Sequence, residues 1–249
     1  MEKQVTVSVV MPAYNAEKYI VNAIESVLCQ DVLLELLIID DCSTDRTAEI
    51  AGRYADGDQV ILIHNDRNLG VAKSRNIGIQ RAAGKYVAFL DADDWWSEGK
   101  LRAQCSKLDD TDFVLCCTAR ELMDLDGSPM GRIIGVAEEI TYPMLLRTNS
   151  IPCSSVVIKT QVAREFYMCH DELHEDYILW LKVLQKYGRA YGINEPMLKS
   201  RMSKGGKSRN KLKSAKMQFG VYRYMGFGWI ASCYYFLMYA FHGVRKYTG

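Results

Sequence analysis

Across residues 1–110, short apolar runs alternate with amphipathic stretches. Residues 5–11 read as a strand stopped by Pro12, because proline cannot donate to a strand ladder. Residues 17–30 read as a helix, with Ile20, Ala23, Ile24 and Val27 on one face. Residues 36–40 form the next predicted strand, and residues 44–54 the next helix, opened by the capping residues Ser43 and Thr44. A strand over 60–64, a helix over 71–83 ended by Gly84, and a strand over 86–90 follow. This alternation predicts a sheet of mainly parallel strands covered by helices. The second half is less regular. It offers a buried strand over 112–118, a hairpin turn at Asp126-Gly127 and a strand over 154–158. A helix is predicted over 175–186, with Ile178, Leu179, Leu181 and Val183 in its apolar set.

In open α/β sheets, ligands bind outside the carboxyl ends of the strands. Three polar segments fall there: Pro12-Ala13-Tyr14-Asn15, Asp40-Asp41, and Asp91-Ala92-Asp93-Asp94. Asp91 and Asp93 are alternate residues of an extended segment, so both point to one side. Hard carboxylate oxygens suit Mg²⁺ or Mn²⁺, with phosphate oxygens completing the shell. Asp40-Asp41 can accept hydrogen bonds from a base N–H or from ribose hydroxyls, or can shape the turn into the next helix. Trp95-Trp96, directly after the acidic segment, can pack on a sugar ring or simply fill the core.

Charge is unevenly placed. From Pro196 onward there are eleven Lys and Arg and no Asp or Glu, so the remainder carries a net charge of −10. An acidic body suits a metal and its substrate; a basic tail suits an anionic surface. The eight cysteines form no CxxC pair and no zinc spacing, and read as reduced, mostly buried thiols. Residues 1–10 lack the apolar core and cleavage site of a secretory signal, so a cytoplasmic protein is expected.

Four blocks then become specific: Val7-Ser8-Val9-Val10-Met11-Pro12-Ala13-Tyr14-Asn15; Ile38-Ile39-Asp40-Asp41-Cys42-Ser43-Thr44-Asp45-Arg46-Thr47; Asn68-Leu69-Gly70 with Ser74-Arg75-Asn76-Ile77-Gly78; and Gly84-Lys85-Tyr86-Val87-Ala88-Phe89-Leu90-Asp91-Ala92-Asp93-Asp94. They resemble glycosyltransferase family 2, in that family's order and spacing. The resemblance implies the GT-A fold, a Rossmann-like nucleotide-binding mixed sheet flanked by helices. It also implies a nucleotide-diphosphate sugar donor, a divalent metal (Mn²⁺ or Mg²⁺) and inversion at the anomeric carbon. By the same resemblance, Pro12, Tyr14 and Asn15 line the nucleobase and ribose pocket, and Asp41 binds the base, most often uracil. Asp66 and Arg75 complete the nucleotide site, Asp91 lies near ribose and metal, and Asp93 is the direct metal ligand. The segment His174-Glu175-Asp176-Tyr177 resembles a second block of the family, an acidic pair opening a helix. It makes Asp176 the expected general base, with Glu175 the alternative.

Residues 224–244 contain no Lys, Arg, Asp or Glu and are rich in aromatics. Interspersed glycines, His242 and tyrosines suit a membrane interface better than a hydrocarbon span, and a core or homodimer contact is the competing reading. The acidic body argues against nucleic acid as a partner. Together these features divide the chain into a nucleotide-sugar half (1–110), an acceptor half (111–203) and a basic, aromatic-rich helical tail (204–249). They predict a polyprenyl-diphosphate-linked sugar acceptor, O-antigen or capsule synthesis, and residence on the cytoplasmic face of the inner membrane. The Gly- and Ser-containing run 199–208 is expected to be a mobile loop. Competing readings are a nucleotidyltransferase, which would want a Gly-rich basic loop after the first strand, and a non-catalytic nucleotide-sugar binder.

Overall fold

The computed structural model describes residues 5–202 and 211–248. Most of the loop expected over 199–208 lies outside the described residues. The first half follows the predicted order: β1 (Val7–Ala13), α1 (Ile20–Leu28), β2 (Leu34–Asp40), α2 (Thr47–Gly52), β3 (Val60–His64), α3 (Val71–Arg81) and β4 (Tyr86–Phe89). Next come β5 (Trp95–Trp96), α4 (Lys100–Asp110), β6 (Leu115–Met123), β7 (Pro129–Ile134), β8 (Glu139–Thr141) and α5 (Tyr142–Arg147). A 3₁₀ turn (Cys153–Ser155) then leads into β9 (Val157–Lys159), α6 (Thr160–Glu165), α7 (Glu175–Tyr187), β10 (Arg189–Arg201), α8 (Lys211–Tyr224) and α9 (Trp229–Thr248).

The sheet runs β3-β2-β1-β4-β9-β6-β10-β5, with β7 on β6 and β8 on β10. β3, β2, β1 and β4 are mutually parallel, while β9 is antiparallel to both its neighbours, β4 and β6. The sheet is therefore mixed. Both faces are buried, and the alternation of each strand decides which core a side chain enters. Val7, Val9 and Met11 join α1 on one face, whereas Val10 packs with α3 on the other. Leu36 and Ile38 against Leu37 and Ile39 repeat that division on β2. Gly78 in α3 permits the close approach to β1: a Cβ there would stand 2.4 Å from Val10 Cγ1.

The C-terminal helices are joined to the body. Val221 and Tyr222 of α8 are fully buried in the same core as β6 and α7. Tyr222 Oη donates to the Leu146 carbonyl at 2.8 Å, and Tyr177 Oη to that of Leu145 at 2.7 Å, so α7 and α8 both hold α5. α9 has two faces. Tyr235 and Phe236 pack inward. Ile230, Tyr234, Leu237 and Phe241, spaced as one helical stripe, are exposed. Among the described residues no helix is long and apolar enough to cross a membrane. All eight cysteines are free, but only Cys105, Cys116, Cys117 and Cys153 are buried, fewer than the apolar runs around them suggest.

Candidate active site

A cavity of about 890 Å³ opens at the carboxyl ends of β1, β2 and β4. The turn after β1 brings Tyr14 to its rim, half exposed, beside Asn15 in the left-handed region at φ 50°. Asn15 Oδ1 accepts from the Thr44 backbone N–H at 2.8 Å, so this asparagine also fastens the loop after β2. Asp41 lines the cavity but is held from three sides. Asn65 Nδ2 and the N–H groups of Leu69 and Gly70 donate to it at 2.8, 2.8 and 2.9 Å. The chain then enters α3 through Gly70 at φ 88°, with the Asp171 carboxylate packed where a Cβ would stand. That carboxylate accepts from the Ala72 N–H at 2.8 Å, at the start of the helix. Asp66 is exposed and is not among the lining residues; Asn68 and Gly70 of the same loop are.

The loop after β4 supplies the acidic wall. Asp91 and Asp93 both line the cavity. Burial, and then the Asp91 charge, push the Asp93 carboxyl up to about 6. Asp94 is buried and accepts from the Arg201 N–H at 2.9 Å, tying the loop to the end of β10. Burial, with Asp93 and Asp91 beside it, holds its carboxyl well above the ordinary range. Ser154 supports the loop from the 3₁₀ turn: its Oγ accepts from the Asp91 N–H, and its carbonyl from Trp96 Nε1. Trp96 is buried, Trp95 stacks against the Arg201 guanidinium at 4.8 Å, and neither lines the cavity.

The opposite wall comes from the start of α7. Arg75, buried in α3, bridges the walls: Nη2 lies 2.5 Å from Asp91 Oδ1 and Nη1 2.9 Å from Glu175 Oε1. Glu175 is thereby buried in an ion pair, with 7% of its side chain exposed. Asp176 faces the cavity, and its Oδ1 accepts from the Tyr177 N–H. Burial and then the neighbouring Glu175 push its carboxyl up to about 6. The fold thus gathers Pro12, Tyr14, Asn15, Asp41, Arg75, Asp91, Asp93, Glu175 and Asp176 around one cavity. It adds residues the sequence did not single out: Tyr19, Arg120, Asn149 and Ser154, and from the tail Ser214 and Tyr239.

The model of the family described as "Glycosyl transferase family 2" matches residues 8–160, which hold β1 through the acidic loop and on to β9. The chain belongs to glycosyl transferase family 2. It is accordingly a glycosyltransferase. Among curated family 2 relatives, the Bacillus subtilis (strain 168) protein assigned by name to teichuronic acid biosynthesis, TuaG, is 36% identical over 243 residues, covering 96% of each chain. The Escherichia coli UDP-Glc:α-D-GlcNAc-diphosphoundecaprenol β-1,3-glucosyltransferase WfgD is 34% identical over 246 residues, covering 97% of this chain and 95% of its own. E. coli WfaP, named for the same activity, is 33% identical over 222 residues, covering 88% of this chain and 86% of its own. The crystal structure of S. aureus TarS 1–349 in complex with UDP-GlcNAc superposes with a TM-score of 0.72 at 21% identity. That superposition covers 88% of this chain and 65% of that one, and bears out the GT-A fold.

Family membership raises the question of a divalent cation. Among the described residues no three His, Cys, Asp or Glu side chains form a cage that could hold a metal by themselves. Asp91 and Asp93 nevertheless fit one: two hard-oxygen donors on one loop, both lining the cavity. Such a pair suits Mg²⁺ or Mn²⁺ that takes its other ligands from phosphate and water.

Proposed function

We propose that this glycosyltransferase is inverting, and transfers a sugar from a UDP-sugar to a lipid-diphosphate-linked saccharide in surface-polysaccharide assembly. The observation that carries the reading is the facing of two unlike acidic walls across one cavity. One wall is the loop with Asp91 and Asp93; the other is Asp176, open to the cavity while Glu175 is taken by Arg75. Asp176 is therefore favoured over Glu175 as the base. An inverting transfer needs such an arrangement. The acceptor hydroxyl gives its proton to the Asp176 carboxylate. Its oxygen bonds to the anomeric carbon as the bond from that carbon to the phosphate oxygen breaks on the opposite side. UDP leaves with that electron pair.

In this reading Pro12, Tyr14, Asn15 and Asp41 form the nucleoside end. Arg75 holds Asp91 in place, and Asp66, exposed beside the loop, has at most an outer role. Asp93 and Asp91 would hold Mn²⁺ or Mg²⁺, which when bound would supply positive charge for the leaving diphosphate. The division into a donor half (1–110), an acceptor half (111–203) and a tail (204–249) follows the same logic. The activities for which WfgD and WfaP are named favour a UDP-sugar donor and a lipid-diphosphate acceptor. Such an acceptor would bring the enzyme to the cytoplasmic face of the inner membrane. The exposed stripe on α9, on a tail without acidic residues, is the surface we assign to that contact.

Purified protein incubated with labelled UDP-sugars, Mn²⁺ and a synthetic lipid-diphosphate saccharide should transfer one sugar with inverted configuration. Asp93→Ala should lose that turnover. Failure to turn over or bind any nucleotide sugar would sink the reading, and full activity in Asp93→Ala would remove that residue from metal binding.

A further inference from the structure

The acidic loop is fastened at both ends. At its start Ser154 Oγ accepts from the Asp91 N–H. Beyond its end the chain forms β5, which pairs antiparallel with β10, Trp95 opposite Lys199 and Trp96 opposite Leu198. Continuing that register two residues further sets Arg201, the last residue of β10, beside Asp93. The contacts follow the register. The Arg201 backbone N–H donates to Asp94 Oδ1 at 2.9 Å, and Arg201 Nε donates to the Asp93 carbonyl at 3.1 Å. The end of β10 is itself held, because the Met202 N–H donates to the Met123 carbonyl of β6 at 2.9 Å.

An arginine side chain is long and gives up rotamer freedom when it is held. This one is held by three further groups. Its Cζ lies over the rings of Tyr19 and Trp95, 4.6 and 4.8 Å from their centroids. Its Nη1 donates to the Leu125 carbonyl at 2.7 Å, in the turn between β6 and β7. The guanidinium is thus gripped by the rim residue Tyr19, by the strand after the acidic loop and by a hairpin turn. What it grips in return is the main chain of Asp93. A cation paired to the Asp93 carboxylate would compete with a metal for its oxygens. A cation on the backbone carbonyl fixes where that carboxylate stands and leaves its oxygens to the cavity that Asp93 lines.

We propose that Arg201 is the positioning residue of the metal loop: braced by Tyr19, Trp95 and the hairpin turn, it fixes the backbone at Asp93 and so presets that carboxylate for the cation. The consequence for metal binding rests on reading Asp91 and Asp93 as the metal pair; the brace itself does not.

The test reads Mn²⁺ binding to the UDP-saturated protein by electron paramagnetic resonance. Arg201→Ala should raise the Mn²⁺ Kd by about 10–100-fold, the range for losing a group that orients a metal ligand. The Kd of UDP measured without metal should stay within about twofold of wild type. Arg201→Lys keeps the charge and the backbone bond to Asp94 but has no Nε, and should still raise the Mn²⁺ Kd by about fivefold or more. Matched thermal unfolding of this variant guards against loss of fold. Hydrogen exchange gives a second readout that needs no metal. The amides of Asp91 and Asp94, bonded to Ser154 Oγ and to the Asp91 carbonyl, should exchange about tenfold faster in Arg201→Ala, with β1 unchanged. A weaker UDP Kd without metal would overturn the proposal and assign Arg201 to the nucleotide. Full rescue by lysine would overturn it in favour of charge alone, and an unchanged Mn²⁺ Kd or unchanged exchange in Arg201→Ala would overturn it outright. If the wild type binds UDP but no Mn²⁺, the metal reading fails and exchange alone decides the brace: faster exchange in Arg201→Ala supports it, and equal exchange overturns it.

Discussion

Asp176 and Glu175 are neighbours with the same acidic chemistry, and the cavity separates their behaviour. Glu175 is buried against Arg75; Asp176 is left facing the cavity with its carboxyl pushed up to about 6. A general base works ionised, so kcat should fall as pH drops through about 6, by about one log unit per pH unit. Asp176→Asn should lower kcat by about 10²–10⁴-fold with the Kd of UDP little changed, and stopped assays across pH would show both. A flat acid limb in the wild type would place the proton elsewhere. Arg75→Ala would leave Asp91 and Glu175 facing each other uncompensated. Urea unfolding should register a loss of about 3–5 kcal/mol, and a loss below about 1 kcal/mol would mean the pair is not coupled through this guanidinium. Much of this site was legible as residue types at strand ends. What the sequence could not show is how occupied some of them already are. Asp41 and Asn15 read as ligand groups, yet both already accept from backbone N–H groups of a neighbouring loop. Arg120, Asn149 and Tyr239 carry no local motif, and only the folded chain brings them to one cavity.

Elements in the first half were predictable because each strand is short, apolar and followed by a helix with one buried face. β3 matches the predicted 60–64, and α3 begins at the predicted Val71. The second half resists the same reading for physical reasons. β10 contains Gly192 and Pro196 and shifts register between Ile193 and Leu198, so its alternation breaks in the middle. α4 is rich in charge, and its buried stripe of Leu101, Gln104, Cys105 and Leu108 includes a polar residue. Residues 154–158, expected as one strand, begin instead as the 3₁₀ turn that places Ser154 under Asp91. Packing between elements is close where α3 crosses β1. Gly78→Ala should destabilise by about 1–3 kcal/mol, because Val10 is fully buried and has no room to yield. Adding Val10→Ala should recover part of that loss; simple additivity of the two in denaturant unfolding would refute the contact.

At the scale of the molecule, α9 serves two surfaces. Tyr239 lines the catalytic cavity, while Ile230 and Leu237 are 89% and 67% exposed. Ile230→Asp with Leu237→Asp should reduce co-sedimentation with anionic vesicles by at least several-fold and leave thermal unfolding unchanged. Unchanged vesicle binding together with an altered sedimentation coefficient would make the stripe a subunit contact instead. The Arg75 bridge has a different reach. From α3 it joins the end of β4, 16 residues away, to the start of α7, 100 residues away. A hinge that swung those walls apart would strand a buried charge, at about 3–5 kcal/mol, so on the order of one molecule in a thousand would stand open. The cleft therefore works as a braced slot rather than a jaw. A spent nucleotide should slide out past Tyr14 at the rim, and turnover should be insensitive to solvent viscosity effects on large domain motion.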